Sequence, residues 1–88
     1  MEEYPHLSEA LALVLRRRRE GLGLSKLRMS EETRLERAYI TSLERGDKRP
    51  TLNAVFFLCD ALKMSRRDFL AELEAEMERL KARAGEGR

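Results

Sequence analysis

The residues best suited to chemistry lie in one short stretch, Glu36-Arg37-Ala38-Tyr39-Ile40-Thr41-Ser42-Leu43-Glu44-Arg45, which then breaks into Gly46-Asp47-Lys48-Arg49-Pro50. Ile40 and Leu43, three residues apart, share one side of a helix, with Leu35 just before them. The other side carries Arg37, Ala38, Thr41 and Ser42. A helix that only covers a core needs no such modest outer face. Small side chains let a helix approach the edges of another molecule, and a few hydrogen-bonding groups discriminate among those edges. Recognition inside a groove is the chemistry this pattern fits.

Other chemistries lack their parts. Cys59 is the single cysteine and His6 the single histidine, so the sequence offers neither an internal disulfide nor the usual thiolate and imidazole set of a zinc site. Cys59 reads as a small buried apolar group on the core side of its helix. His6 has no companion base or nucleophile. No paired carboxylates converge on a nucleophile, and Gly21-Leu22-Gly23 lacks the strand and spacing of a dinucleotide-binding turn. The expectation is a non-enzyme with no cofactor and no metal.

The elements that position this stretch are helical. Two prolines and five glycines in 88 residues, with long runs of Leu, Ala, Glu and Arg, predict an all-α chain of one domain, residues 1–88. Leu11, Val14 and Leu15, after Ser8, predict a first helix from about 8 to 20, ending in four consecutive arginines, Arg16 to Arg19. Cations there suit the helix dipole, and Gly21 and Gly23 stop the helix. Ser25 suits the cap of a short second helix ending near Glu32 or Thr33. The third helix runs from about 36 to 45. Thr51 opens a fourth with Leu52, Val55, Phe56, Leu58, Cys59, Ala61 and Leu62, apolar on so many sides that it is expected at the centre of the core.

Ser65 and Asp68 form a capping-box pattern for a fifth helix that persists to about 83, before Gly85-Glu86-Gly87-Arg88 frays. From Leu70 onward, Leu73, Met77, Leu80 and Ala84 repeat at alternating spacings of three and four, a short heptad seam.

Net charge is only +2, but residues 16–49 hold eleven Lys or Arg against six Asp or Glu. That local excess permits an anionic partner without demanding one. No apolar run approaches the ~20 residues needed to span a bilayer, and the start, MEEYPHLSE, is acidic where a signal peptide would be basic. A cytoplasmic protein is expected.

Five helices with a short pair in second and third position resemble a helix-turn-helix domain. The detailed likeness runs from residue 23 to 70. Gly23-Leu24-Ser25, Tyr39-Ile40-Thr41, Leu43-Glu44-Arg45-Gly46, Pro50-Thr51-Leu52, Leu58-Cys59-Asp60-Ala61-Leu62 and Met64-Ser65 before Asp68-Phe69 resemble the Cro/cI-type (XRE) family of lambda-repressor-like domains. The resemblance implies a five-helix bundle over residues 7–70 and sequence-specific binding of double-stranded DNA, with helix 3 in the major groove. Three departures stand out. Arg34 holds the turn position where the family often has Gly, Glu36 replaces the usual Ser or Thr cap of helix 3, and Lys26 stands where Gln is common.

By the same resemblance Arg37, Ala38, Thr41 and Ser42 occupy base-facing positions. Arg37 suits the O6 and N7 of guanine, Glu36 can accept from cytosine N4, and Ala38 or the Thr41 methyl fits a thymine methyl. Phosphate contacts are expected from Ser25 and Lys26 at the start of helix 2, Arg45 at the end of helix 3, and Lys48 and Arg49 in the loop. The Tyr39 phenol either reaches a phosphate or completes the core. The family commonly pairs an arginine near position 19 with an acid of helix 2 or 3, and Glu44 is expected as such a structural partner.

The implied function is a transcriptional regulator that grips a palindromic operator as a homodimer. The seam Leu70, Leu73, Met77, Leu80 and Ala84, within residues 65–84, is the expected dimer contact, unless it packs back on helices 1 and 4. The alternative is an adaptor or antitoxin that binds a protein partner through the C-terminal helix.

Overall fold

The computed structural model describes residues 2–85, which form five helices and, among themselves, no strand. They are α1 (Leu7–Gly21), α2 (Lys26–Thr33), α3 (Arg37–Glu44), α4 (Leu52–Leu62) and α5 (Arg66–Arg83). Three helix starts, those of α2, α4 and α5, follow hydroxyl caps. Ser25 Oγ accepts from the Arg28 amide, Thr51 Oγ1 from Ala54 and Ser65 Oγ from Asp68, each at 2.9–3.0 Å. α1 differs, beginning one residue before Ser8. His6 stands at its start with φ 65°, and the Glu3 carboxylate accepts from the Ser8 amide at 2.7 Å. The expected fray at the C-terminal end falls, from residue 86 on, outside the described residues.

The core gathers one face of every helix. Val14 and Leu15 of α1, Met29 of α2, Ile40 and Leu43 of α3, Leu58 and Cys59 of α4 and Phe69 of α5 are all fully buried. Each large apolar side chain so buried contributes roughly 1.5–3 kcal/mol. Truncating Phe69, the largest of them, would therefore cost about 3–5 kcal/mol.

Two expectations change. α4 is not buried all round: Ala54, Leu58, Cys59, Ala61 and Leu62 face inward, while Leu52, Phe56 and Phe57 are 74 %, 46 % and 43 % exposed. One helix at the edge of a small bundle has neighbours on one side only. The heptad seam of α5 is the second correction. Leu73 and Leu80 are buried in the chain's own core and Met77 packs against it, because this face of α5 lies along α1. Of the five seam residues only Leu70 and Ala84 are exposed, so the seam as a unit is not open to a second chain.

Charge reinforces the α1–α5 contact. Arg17 pairs with Glu76 at 3.2 Å and Glu72 at 3.6 Å, and Arg18 with Glu72 at 2.8 Å. Arg79 closes on Glu76 from within α5 at 2.8 Å. Arg17, Arg18, Glu72 and Glu76 thereby join the last turns of α1 to the middle of α5.

Candidate nucleic-acid interface

The connection from α2 to α3 is three residues, Arg34 to Glu36, and its geometry sets how α3 leaves the bundle. Arg34 takes the left-handed conformation, φ 64° and ψ 13°, which a Gly would adopt without steric cost. Two hydroxyls brace the turn around it. Thr33 Oγ1 donates to the Met29 carbonyl at 2.8 Å and accepts from the Leu35 amide at 3.1 Å, while Ser30 Oγ donates to the Leu35 carbonyl at 2.6 Å. The turn is thus of ordinary length despite the missing Gly.

α3 is fixed from beneath by Ile40 and Leu43 and at its C-terminal end by a buried ion pair. Arg19 Nε and Nη2 donate to the two Glu44 carboxylate oxygens at 2.6 and 3.0 Å, and Nη1 donates to the Leu24 carbonyl at 2.6 Å. The hydrogen bond to Glu44 raises the affinity of the guanidinium for its proton. This contact ties α1, the start of α2 and α3 together, as the resemblance implied for Glu44.

The outward side of α3 then presents the residues singled out from the sequence. Glu36, Arg37 and Ala38 are exposed, and Thr41 and Ser42 are half-buried. Glu36 caps α3 through its backbone alone; its side chain makes no cap hydrogen bond. Tyr39 packs against the core and also steadies the loop that follows α3. Its ring is half-buried against the core, its Oη accepts from the Thr51 amide at 3.4 Å, and Lys48 Nζ stands 6.0 Å from the ring centroid.

The flanking cations fall into two places. Lys26 and Arg45 share a hollow beside Thr41 with Arg16, Arg19, Glu20 and Glu44. Its acids are already engaged, Glu44 by Arg19 and Glu20 by Arg16 at 3.2 Å. Lys48 lines a second hollow with Arg34, Glu36, Ala38 and Ser42. Arg49 lies apart from that second hollow, beside Glu3 and Asp47. Ser25 is exposed at the start of α2, its Oγ engaged as the cap.

The four consecutive arginines of α1 all find carboxylates, whereas Lys26, Arg37, Arg45 and Lys48 enter no ion pair among the described residues. The structure thus separates cations already engaged by carboxylates from cations whose donors are open. Arg34 is the addition to the face. Sequence reading saw Arg34 only as a departure at the turn position.

A short helix pair joined by a three-residue turn, its second helix anchored from below and bare outside, defines a helix-turn-helix protein. Residues 10–73 match the family described as helix-turn-helix domain, and the chain belongs to that family. Among solved structures it is similar to the clp gene regulator ClgR from Corynebacterium glutamicum, with 31 % identity and a TM-score of 0.85 over 94 % of this chain and 88 % of that one. It is also similar to the restriction-modification controller protein C.Esp1396I, crystallised as a tetramer with its natural 35-base-pair operator. There the identity is 22 % and the TM-score 0.76, over 86 % of this chain and 97 % of that one, a likeness of fold. No curated protein sequence matches the chain.

Proposed function

We propose that this protein is a sequence-specific DNA-binding transcriptional regulator that grips a palindromic operator as a homodimer, with α3 in the major groove. The observation that carries the reading is the division of cations: every arginine of α1 is paired, while those around the outer face of α3 are not. Unpaired guanidinium and ammonium groups beside a small-residue helix face suit the phosphates that flank a groove. Family membership and the likeness to a gene regulator and to an operator-bound controller support the same reading.

In this reading Arg37 pairs bidentately with guanine, Ala38 and the Thr41 methyl meet thymine methyls, Ser42 adds a hydrogen bond, and Glu36 accepts from cytosine. Lys26, Arg45, Lys48 and Arg49 neutralise phosphates, and the Ser25 end of α2 offers backbone amides to another. Tyr39 holds the loop that carries Lys48 and presents its phenol beside it.

Selection from a random duplex library at about 0.15 M salt tests the proposal. The expected outcome is an enriched palindrome with half-sites about 34 Å apart or a multiple of that. Binding without enrichment that vanishes as salt rises would move the function to a protein partner, in the manner of an adaptor or antitoxin.

A further inference from the structure

We infer that Arg34 and Lys48 form a clamp for one phosphodiester group of duplex DNA, Arg34 gripping it from a backbone conformation that an arginine does not favour. The inference rests on the regulator reading and adds to it a phosphate contact from the α2–α3 turn. The turn does not depend on this side chain. Thr33 Oγ1 holds it through the Met29 carbonyl and the Leu35 amide, and Ser30 Oγ through the Leu35 carbonyl. At φ 64° the backbone favours Gly over any residue with a Cβ. The Arg34 side chain is exposed and enters no ion pair among the described residues, while nearby Glu32 pairs with Arg28 at 3.0 Å. A strained residue whose charged end is left open points to a role outside the bundle.

Arg34 and Lys48 line one hollow, together with Ala38 and Ser42 of α3. They reach it from opposite ends of that helix, Arg34 from the turn before it and Lys48 from the loop after it. Both supports are tied down. The two hydroxyls brace the turn, and the Tyr39 Oη that accepts from the Thr51 amide at 3.4 Å tethers the loop. Lys48 Nζ stands 6.0 Å from the Tyr39 ring centroid. Cations on fixed supports lose less freedom on binding than cations on a loose loop.

Charge selects the ligand. The hollow also holds the Glu36 carboxylate, so two cations and one acid leave it a single positive charge. That balance matches the single negative charge of a backbone phosphodiester, whereas a terminal phosphate carries about 1.5 to 2. A guanidinium forks onto two phosphate oxygens and an ammonium adds a point charge beside it. Arg34 also lies just before the base-facing residues of α3, where a strand bordering the groove would pass.

Fluorescence anisotropy of the full chain on random-sequence duplex, over a series of salt concentrations, tests the inference without an operator; thermal melts establish that each variant folds. Arg34→Asn removes the charge with a residue that tolerates the left-handed backbone, and Arg34→Lys keeps the charge. Arg34→Asn and Lys48→Ala are each expected to weaken binding roughly 10-fold and to flatten the dependence of log affinity on log salt. Arg34→Lys keeps most of the affinity. Arg34→Gly combines a higher Tm with weaker binding, an opposition that a merely structural side chain would not produce. The double variant Arg34→Asn/Lys48→Ala is expected to lose less than the product of the single losses, because a phosphate released by one half of the clamp is no longer placed for the other. Unchanged binding in Arg34→Asn, an equal loss in Arg34→Lys, single losses that multiply, or, on a selected duplex, a loss confined to one base pair would each overturn the clamp and leave the regulator reading standing. A parent that binds no duplex would remove the regulator reading and the clamp with it.

Discussion

Arg19 holds Glu44 through two hydrogen bonds of 2.6 and 3.0 Å, with the two side chains only 9 % and 4 % exposed. Removing one partner leaves the other charge buried and alone. Glu44→Ala is therefore expected to cost about 3–5 kcal/mol, read from the urea unfolding midpoint. A loss below about 1 kcal/mol would mean that the pair does not anchor α3.

Arg34 sits in the left-handed region at the end of α2. That conformation costs a non-Gly residue roughly 1–2 kcal/mol, while Gly adds up to about 1 kcal/mol of unfolded-state entropy. The first effect wins. Arg34→Gly is expected to raise stability by about 0.5–1 kcal/mol and Tm by a few degrees in a thermal melt. A fall in Tm would show that the Arg34 side chain itself holds the turn.

Glu76 is nearly buried between Arg79 and Arg17. The hydrogen bond from Arg79, then that from Arg17, holds its carboxyl below the ordinary carboxylate range, against the opposing effect of burial. A group whose folded pKa is depressed adds stability above its unfolded value, about 4.3, and loses it as pH falls through the folded value. Glu76→Gln should thus cost about 1–2 kcal/mol at pH 7, a difference that shrinks below pH 4. Urea midpoints at pH 7, 5 and 3.5 check this; a difference constant with pH would contradict it.

Glu36 caps α3 without a side-chain hydrogen bond and turns a carboxylate toward the face where phosphates are expected. Glu36→Ser adds a cap acceptor and removes the repulsion. The expected result is a gain of about 0.5–1 kcal/mol in stability and tighter binding to random duplex, with reduced preference at one base pair. Fluorescence anisotropy and a thermal melt read both effects. Stability without tighter binding would place Glu36 away from DNA.

The helices were legible because their ends are written locally: Ser25, Thr51 and Ser65 each cap the helix that follows. The buried side of α3 was equally plain from Ile40 and Leu43. What periodicity cannot state is the identity of the neighbour. Leu70, Leu73, Met77, Leu80 and Ala84 repeat alike whether they face α1 or another molecule, and α1 takes the inner ones. Phe56 and Phe57 raise the same ambiguity in reverse, since an apolar helix reads as buried even where only a partner would cover it. The resemblance placed the turn at Arg34, but an arginine there does not advertise the left-handed backbone it adopts.

The central claim is that α3 reads bases while its flanks hold phosphates, and the two roles leave different marks. On a selected duplex, binding of Arg37→Ala and Lys26→Ala should be measured across every single-base variant and a series of salt concentrations. Arg37→Ala is expected to lose about 1–3 kcal/mol and its discrimination at one base pair in each half-site. Lys26→Ala is expected to weaken binding to all variants alike and to reduce the slope of log affinity against log salt by about one per half-site. If both substitutions weaken every sequence equally and only through salt, α3 does not read the groove.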